Sequence, residues 1–432
     1  MPFNRRHFLK QISAISIGSV FNAQSFAKDL QYFDSKFIDA DSNTIAQDEE
    51  YWQWVRSNYT INPSLINLNN GGVSPQPKSV QDAFKRYCDL CNEGPSFFMW
   101  RTLDTGREPL RQRIADVAGC LSEEIAIHRN TTEALANIVF GIELQPGDEV
   151  VLTHQDYPNM VHAWKQRELR QKIKLVWLNL DLPIDDDDAI TKTFTQAFTS
   201  KTKVVHITHV MNWTGQILPV RKIADEAKKR GIQVVVDGAH SFAQLDFRID
   251  ELNCDYFGTS LHKWMGAPFG TGFMYVRKEK ISSLFSLMPN DKPNGDDIRK
   301  FEALGTRNFA AEQAVMTAID FHEAIGIKRK QARLLLLKNY WTQKVKHLPQ
   351  LKFNTTLNDK YSNAITNVIM DGMSAQEMEA FLYDKYKIHT SSVNWANIHG
   401  LRITPSVYTS LNELDKLVHG FELMAEKINV KK

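Results

Sequence analysis

Cysteine is scarce in this chain: four in 432 residues. That is too few for a disulfide scaffold to organise a protein of this length. An excess of one charge is missing too. Lys and Arg number 52 against 50 acids, a net charge of +2, so the balance leaves no footprint of a nucleic-acid partner. Long apolar runs are absent. The apolar stretch near the N-terminus, Ile12 to Phe26, is too short and too serine-rich for stable membrane insertion. No internal repeat is visible. The acidic run Asp185 to Asp188 lacks the turn glycine and distal glutamate of a calcium loop. It reads as a solvated loop, and no metal site is expected. What remains is ordinary for a globular protein, 43% hydrophobic and 24% charged. The length is ample for one large core and a smaller one.

The N-terminus carries an address. Asn4-Arg5-Arg6-His7-Phe8-Leu9-Lys10 is a twin-arginine pattern, and Ser25-Phe26-Ala27 offers small residues where a signal peptidase reads. Residues 1–27 are therefore expected to engage the Tat export machinery and send the chain to the periplasm. The bland alternative is a basic tail. Removing residues 1–27 takes away Arg5, Arg6 and Lys10 and no acid, so the net charge falls from +2 to −1.

Residues 28–75 read as an N-terminal arm with a Tyr/Trp-rich helix, ending in the turn Asn69-Asn70-Gly71-Gly72. Apolar runs then alternate with amphipathic stretches. Ile125 to His128, Glu149 to Thr153, Lys174 to Leu178, Lys203 to Thr208, Gln233 to Val236 and Gly272 to Val276 predict strands. Thr132 to Leu144 and Pro219 to Arg230 predict helices, the second with proline at its start and Gly231 after its end. Near-continuous Val/Ile strands separated by helices predict an α/β fold whose mostly parallel sheet is flanked by helices. Residues 76–305 form the expected large domain. Residues 306–432 supply bridging helices and a smaller α+β C-terminal domain.

Two residues in this pattern carry chemistry. Val234-Val235-Val236 runs into Asp237, and 26 residues later Lys263 follows the apolar run Cys254-Asp255-Tyr256-Phe257. A strand ending in an aspartate, then a lysine at the end of a following strand, is what pyridoxal phosphate needs. The amine forms a Schiff base with the cofactor aldehyde, and the carboxylate pairs with the pyridinium nitrogen. Further candidates also follow strands, where open α/β sheets bind ligands. Asn130-Thr131-Thr132 opens a helix and suits a phosphate, though the same triplet is also a plain N-cap. Tyr157 can stack on the cofactor ring, or be a buried loop tyrosine. Asn212 can donate to the phenolic oxygen. His240 can reach that oxygen or the phosphate. Ser260 and His262 flank the lysine and can bind phosphate, and His262 can equally be structural.

These blocks, in order, resemble the class V group of fold-type I pyridoxal phosphate enzymes, which includes isopenicillin N epimerase-like proteins, cysteine desulfurases and kynureninase-like enzymes. The matching runs are Asn69-Asn70-Gly71-Gly72, Asn130-Thr131-Thr132-Glu133, His209 to Gly215, Asp237-Gly238-Ala239-His240, Ser260-Leu261-His262-Lys263, Gly270-Thr271-Gly272, Gly305-Thr306-Arg307 and Leu401-Arg402-Ile403-Thr404-Pro405. The resemblance implies a homodimer with active sites at the interface, where Thr306 reaches the phosphate of the partner's cofactor. It also implies that Arg402 holds the substrate carboxylate, a planar two-point grip that a lysine cannot offer. In layout the chain resembles Tat-exported members such as the periplasmic tailoring enzymes of pyoverdine maturation.

One departure narrows the chemistry. Cysteine desulfurases carry a nucleophilic cysteine shortly before the carboxylate arginine, and Ile388 to Gly400 contains none. Cys88 and Cys91 form a Cys-x-x-Cys, but inside a helical pattern and with no second ligand pair. The expected activity is transamination or a tailoring reaction on an amino acid or peptide-borne amino group. Epimerisation of the isopenicillin N type is the alternative within the class. A binding protein without catalysis is the alternative outside it, disfavoured because Lys263, Asp237 and Arg402 are all present. Trp100, Arg101, Trp213 and Trp395 can shape a pocket or fill a core.

Overall fold

The computed structural model describes residues 36–37 and 40–430. The expected export signal, residues 1–27, lies outside them. Among the described residues no helix is long and apolar enough to cross a membrane.

The described residues form thirteen strands in chain order: β1 (Ile66–Asn67), β2 (Ile125–His128), β3 (Glu149–Thr153), β4 (Lys174–Leu178), β5 (Thr202–Thr208), β6 (Gln233–Asp237), β7 (Tyr256–Ser260), β8 (Gly272–Val276), β9 (Leu351–Phe353), β10 (Thr366–Met370), β11 (Ile388–His389), β12 (Ser391–Trp395) and β13 (Ile398–Ile403). Seven form the central sheet in the order β2-β8-β7-β6-β5-β3-β4. All its pairings are parallel except those of β8, which runs against both neighbours. The α/β class read from the sequence holds. Apolar clusters lie on both faces of this sheet, so β6 and β7 are buried on both sides. That is why their sequences run apolar instead of alternating.

The predicted helix Thr132 to Leu144 is corrected: the helix is Thr131–Gly141. Ile142 turns extended and bridges to Leu284, and the Arg167 guanidinium takes the carbonyls of Val139 and Ile142. These contacts end the helix one turn before its apolar pattern does. The acidic run is also corrected. Asp186 caps the helix Asp187–Gln196, while Asp187 and Asp188 pair with Lys360 and Lys222. Cys88 and Cys91 lie in the helix Lys78–Glu93, where burial raises both thiol pKa values.

Four antiparallel strands, β12-β13-β10-β9, form the small sheet. Its core joins Leu401 and Ile403 to Trp341 of the helix Ile327–Val345 and to Phe421 of the helix Leu411–Val430. The N-terminal segment enters this unit. β1 pairs in parallel with β11, and Leu68 packs in the same cluster. The turn after β1 is stitched to the end of β13: the Thr404 carbonyl accepts from Asn70, and Thr404 Oγ1 accepts from the Gly71 N–H at 2.9 Å. Earlier in the chain, helices Ser42–Gln47 and Glu49–Ser57 bury Tyr51 and Trp52 against the body.

One buried ion cluster fixes the edge strand β2. Glu302 takes Arg111 at 2.5 Å and Arg107 at 3.0 Å, and accepts the Ile127 N–H at 2.6 Å. β2 leads directly into Asn130, so this cluster sets the position of the phosphate candidates.

Candidate active site

The carboxyl ends of β2, β3, β5, β6 and β7 meet at one edge of the sheet. Asn130 follows β2, Tyr157 follows β3, Asn212 follows β5, Asp237 ends β6 and Lys263 follows β7. β13 brings Arg402 from the small sheet. Together they enclose a cavity of about 460 Å³. Eleven of the twelve residues selected from the sequence line it: Asn130, Thr131, Thr132, Tyr157, Asn212, Asp237, His240, Ser260, His262, Lys263 and Arg402. The twelfth, Thr306, sits in an exposed bend before the helix Phe309–Ile325 and does not line its own chain's cavity.

At one end of the cavity the helix Thr131–Gly141 presents its N-terminus. Asn130 caps it, accepting the Glu133 N–H at 2.9 Å. Both readings of the triplet therefore hold in part: the Asn130 carboxamide oxygen serves the helix, and the helix end faces the cavity. Ser260 Oγ accepts the Thr131 N–H at 2.9 Å and shares a hydrogen bond with Thr131 Oγ1 at 2.7 Å. Thr132 Oγ1 accepts from Asn159 at 3.2 Å. First-turn N–H groups, hydroxyls and the positive end of the helix dipole make an anion site. His262 Nδ1 lies 3.1 Å from the Thr271 carbonyl and so donates to it, and burial holds its pKa below the usual histidine value.

Lys263 projects from the turn after β7. Its Nζ lies 3.1 Å from His240 Nε2. Burial lowers the lysine pKa to about 8, with Asp237 opposing and Arg402 assisting. The Asp237 carboxylate accepts the Ala239 N–H at 2.9 Å, and burial raises its pKa. Behind it Thr208 Oγ1 donates to Asp156 at 2.6 Å, where burial pushes the carboxyl up to about 6. Tyr157 is 39% exposed at the mouth, a correction to the buried-loop alternative. Its ring stacks on Trp213 at 6.4 Å, and Trp213 leans on Trp395 at 6.0 Å.

Three groups in the cavity lining stand incomplete: the Trp213 indole N–H, Asn212 and Arg402. Asn212 is buried, yet neither its Nδ2 nor its Oδ1 has a partner. An orphaned buried amide costs about 1–3 kcal/mol, so it fits a ligand that supplies the missing bonds. Arg402 donates through Nη1 to the Asn212 carbonyl at 3.0 Å and through Nη2 to Asn69 Oδ1 at 2.9 Å, leaving a buried Nε unpartnered. No carboxylate among the described residues pairs with it, and burial lowers its pKa to about 10. A desolvated guanidinium of this kind suits an incoming anion. An amine of lowered pKa, a carboxylate at the adjacent strand end, a helix N-terminus and an unpartnered amide match the donor set that pyridoxal phosphate requires.

Sequence reasoning gave no role to Asn69 or Thr208, and left Trp213 between pocket and core; Trp213 lines the cavity. Asn69 stood in a recognised block, but its bond to Arg402 spans 333 positions. Only the fold brings the two together.

Sheet order, strand-end lysine and cavity together define a class, the α/β enzymes that place a reactive lysine beside an anion site. The family follows from comparison. The chain belongs to the class-V aminotransferases, matching the family described as Aminotransferase class-V over residues 66–417. Isopenicillin N epimerase of Amycolatopsis lactamdurans is 26% identical over 394 residues, covering 87% of this chain and 99% of the relative. The cysteine desulfurase of Haloferax volcanii is 24% identical, covering 84% and 90%. Among solved structures, the apo cysteine desulfurase of Thermococcus onnurineus NA1 superposes with a TM-score of 0.76 at 22% identity, over 87% of this chain and 98% of that one. A variant of C-DES with glycine covalently linked to its PLP cofactor gives a TM-score of 0.76 at 18% identity, over 85% and 98%. At these identities the superpositions speak for the fold.

Proposed function

We propose that this chain is a pyridoxal phosphate enzyme that transaminates, or otherwise tailors, the amino group of a free or peptide-borne amino acid. The observation that carries this reading is the convergence of Lys263, Asp237 and the unpaired Arg402 on one cavity.

Bound there, the cofactor supplies an aldehyde for the lysine and a ring that accepts the electron pair left at the substrate α-carbon. Asp237 holds the proton on the ring nitrogen. Thr131, Thr132, Ser260 and His262, with the helix end, hold the phosphate. The Asn212 amide, His240 Nε2 and the Tyr157 ring line the same cavity and would hold the cofactor's ring. Arg402 orients the substrate carboxylate. Lys263 Nζ, as a neutral amine, would take the substrate α-proton.

Persulfide chemistry is disfavoured. The stretch where desulfurases carry their cysteine forms the β12–β13 hairpin, and Trp395 and Asn397 dock it on the loop after β3. None of the four cysteines lines the cavity. Epimerisation is the second reading, favoured by the epimerase relative whose length this chain spans at 99%. On the proposed reading the working unit is a homodimer, with Thr306 serving the partner's cofactor. Residues 1–27 then send the folded, loaded enzyme through the Tat route to the periplasm.

The test is the visible spectrum of the purified protein beside Lys263→Ala while pooled amino acids and small peptides are added. A lysine-linked band that one pool shifts, and that the variant lacks, supports the proposal. Analysis of that pool for a keto product or an inverted centre separates the two reactions. A colourless protein that cannot be loaded with pyridoxal phosphate overturns it.

A further inference from the structure

Trp264 directly follows the reactive lysine and is 3% exposed. Its indole Nε1 lies 3.4 Å from His240 Nδ1, on the side of the ring away from Lys263. The residue is clamped at its other end as well. Lys330, buried on the helix Ile327–Val345, donates from Nζ to the Trp264 carbonyl and lies 3.4 Å from His322 Nδ1. The His240 backbone is pinned in turn. Gln244 Nε2 donates to the His240 carbonyl, while Gln244 Oε1 accepts the Ala364 N–H at 3.2 Å.

We infer that Trp264 is a positioning residue: its indole N–H favours the His240 tautomer protonated on Nε2, and thereby shifts Lys263 toward the free amine.

The argument is a count of protons. An indole N–H only donates, so Nδ1 must present its lone pair. Neutral imidazole has one lone pair and one N–H, so Nε2 carries the hydrogen. Burial, assisted by Arg402, disfavours the doubly protonated ring. Across the 3.1 Å contact the N–H therefore meets Nζ. An ammonium has no lone pair to accept it; a neutral amine does. The Trp264 bond and a protonated Lys263 thus compete for the same ring. Of the charged groups bearing on Lys263, Asp237 at the end of β6 favours the ammonium, whereas Arg402 on β13, like burial, favours the amine. Trp264 adds to the second side through His240, without touching the lysine amine. The amine is the form that attacks the cofactor aldehyde and later accepts a proton. The usefulness of this device rests on the proposed cofactor; the tautomer itself does not.

Histidine-selective nitrogen-15 NMR of the full, cofactor-free chain reads the ring directly, with His240→Gln assigning the signal. The expected spectrum has a protonated Nε2 and a bare Nδ1. In Trp264→Phe the Nδ1-protonated tautomer should appear. The same variant should load pyridoxal phosphate more slowly at neutral pH, by up to about tenfold, the effect of one pKa unit on the amine fraction. A wild-type ring protonated on Nδ1 overturns the inference, even if the variant fails to fold. An unchanged tautomer in a folded variant overturns it too. Failure of the wild-type protein to take up the cofactor would instead sink the proposed function, and the ring spectrum would still judge this inference.

Discussion

Arg402 on β13 donates through Nη2 to Asn69 Oδ1 at 2.9 Å, so the small sheet's one buried cation at the cavity is aimed by the turn after β1. The other fork nitrogen holds the Asn212 carbonyl at 3.0 Å. A lysine offers a point charge in place of the planar fork that ties Arg402 to both oxygens, so it cannot hold the same orientation toward a carboxylate. Arg402→Lys should therefore lower kcat/KM for a substrate with a free α-carboxylate by about 10- to 100-fold, mostly through KM, with the bound-cofactor spectrum retained. Asn69→Ala should do the same more weakly. Kinetics on an amino acid and on its carboxyl-less amine check it. Equal losses on both would remove Arg402 from carboxylate recognition.

Lys263 sets a pH profile. Burial lowers its pKa to about 8 from an unperturbed 10.5. The neutral amine is the nucleophile, so the rate of cofactor loading should rise with pH and level off above about 8. An unperturbed lysine would keep gaining to 10.5. The linkage runs the same way. Between about 8 and 10.5 the unfolded chain binds a proton at Lys263 that the folded chain does not. The cofactor-free wild type should therefore gain stability with pH across that window relative to Lys263→Met. Stopped-flow loading and urea melts on both proteins test this. Lys263→Ala should in addition lose at least about a thousandfold in activity, the range for removing a positioned base and nucleophile.

How much of this was legible in the sequence depends on the range of the interaction. β2, β3 and β8 were read to their end residues, because strands buried on both faces carry unbroken apolar runs between polar turns. Asp237 and Lys263 were legible for the same reason: strand ends are the points where a parallel sheet exposes side chains to a ligand. The helix end at Gly141 was not, since Arg167 and Leu284, remote in sequence, decide it. β9 was missed because Leu351–Phe353 is three residues long, with only Leu351 fully buried. The Trp264–His240 contact was also hidden. Nothing in a string of residues says which nitrogen of a histidine an indole meets.

Gly238 tests the close packing under the carboxylate. A Cβ there would lie 1.8 Å from Phe257 Cζ and 2.3 Å from Cε2, and Phe257 is itself fully buried. Gly238→Ala must push apart β6 and β7 next to Asp237, at a cost of about 3 kcal/mol or more. Gly231→Ala makes the control. Its φ is +69° with nothing within 4 Å, so only left-handed strain applies, about 1–2 kcal/mol. Urea midpoints of the two variants should fall in that order. Gly238→Ala should also weaken cofactor binding, whereas Gly231→Ala should not.

The export proposal makes a prediction at the N-terminus. Replacing both Arg5 and Arg6 by lysine keeps the charge of that segment and removes the guanidinium pair the Tat route reads. The doubly substituted chain should remain in the cytoplasm, folded and loaded with cofactor, while the wild type appears in the periplasmic fraction. Fractionation with a visible-absorption readout distinguishes the outcomes. Equal export of both chains would leave residues 1–27 as a basic tail.

Thr306 lies exposed and away from its own cavity, so its proposed role can be tested only between subunits. Thr306→Val should weaken cofactor affinity by roughly tenfold or more, the loss of a hydrogen bond to a charged group. Activity at limiting cofactor should fall with it. Lys263→Ala should be inactive for its own reason. In a mixed dimer the Thr306→Val subunit keeps its lysine and receives an intact threonine from its partner, which rebuilds one site of two. Random mixing in equal amounts should then restore about a quarter of wild-type activity, as expected for a two-fold symmetric pair. A threonine acting within its own chain predicts no recovery, because neither subunit then carries both residues. Mixing by dilution and reassociation, followed by assay at limiting cofactor, separates the two arrangements and reports at the same time whether the working unit is a dimer.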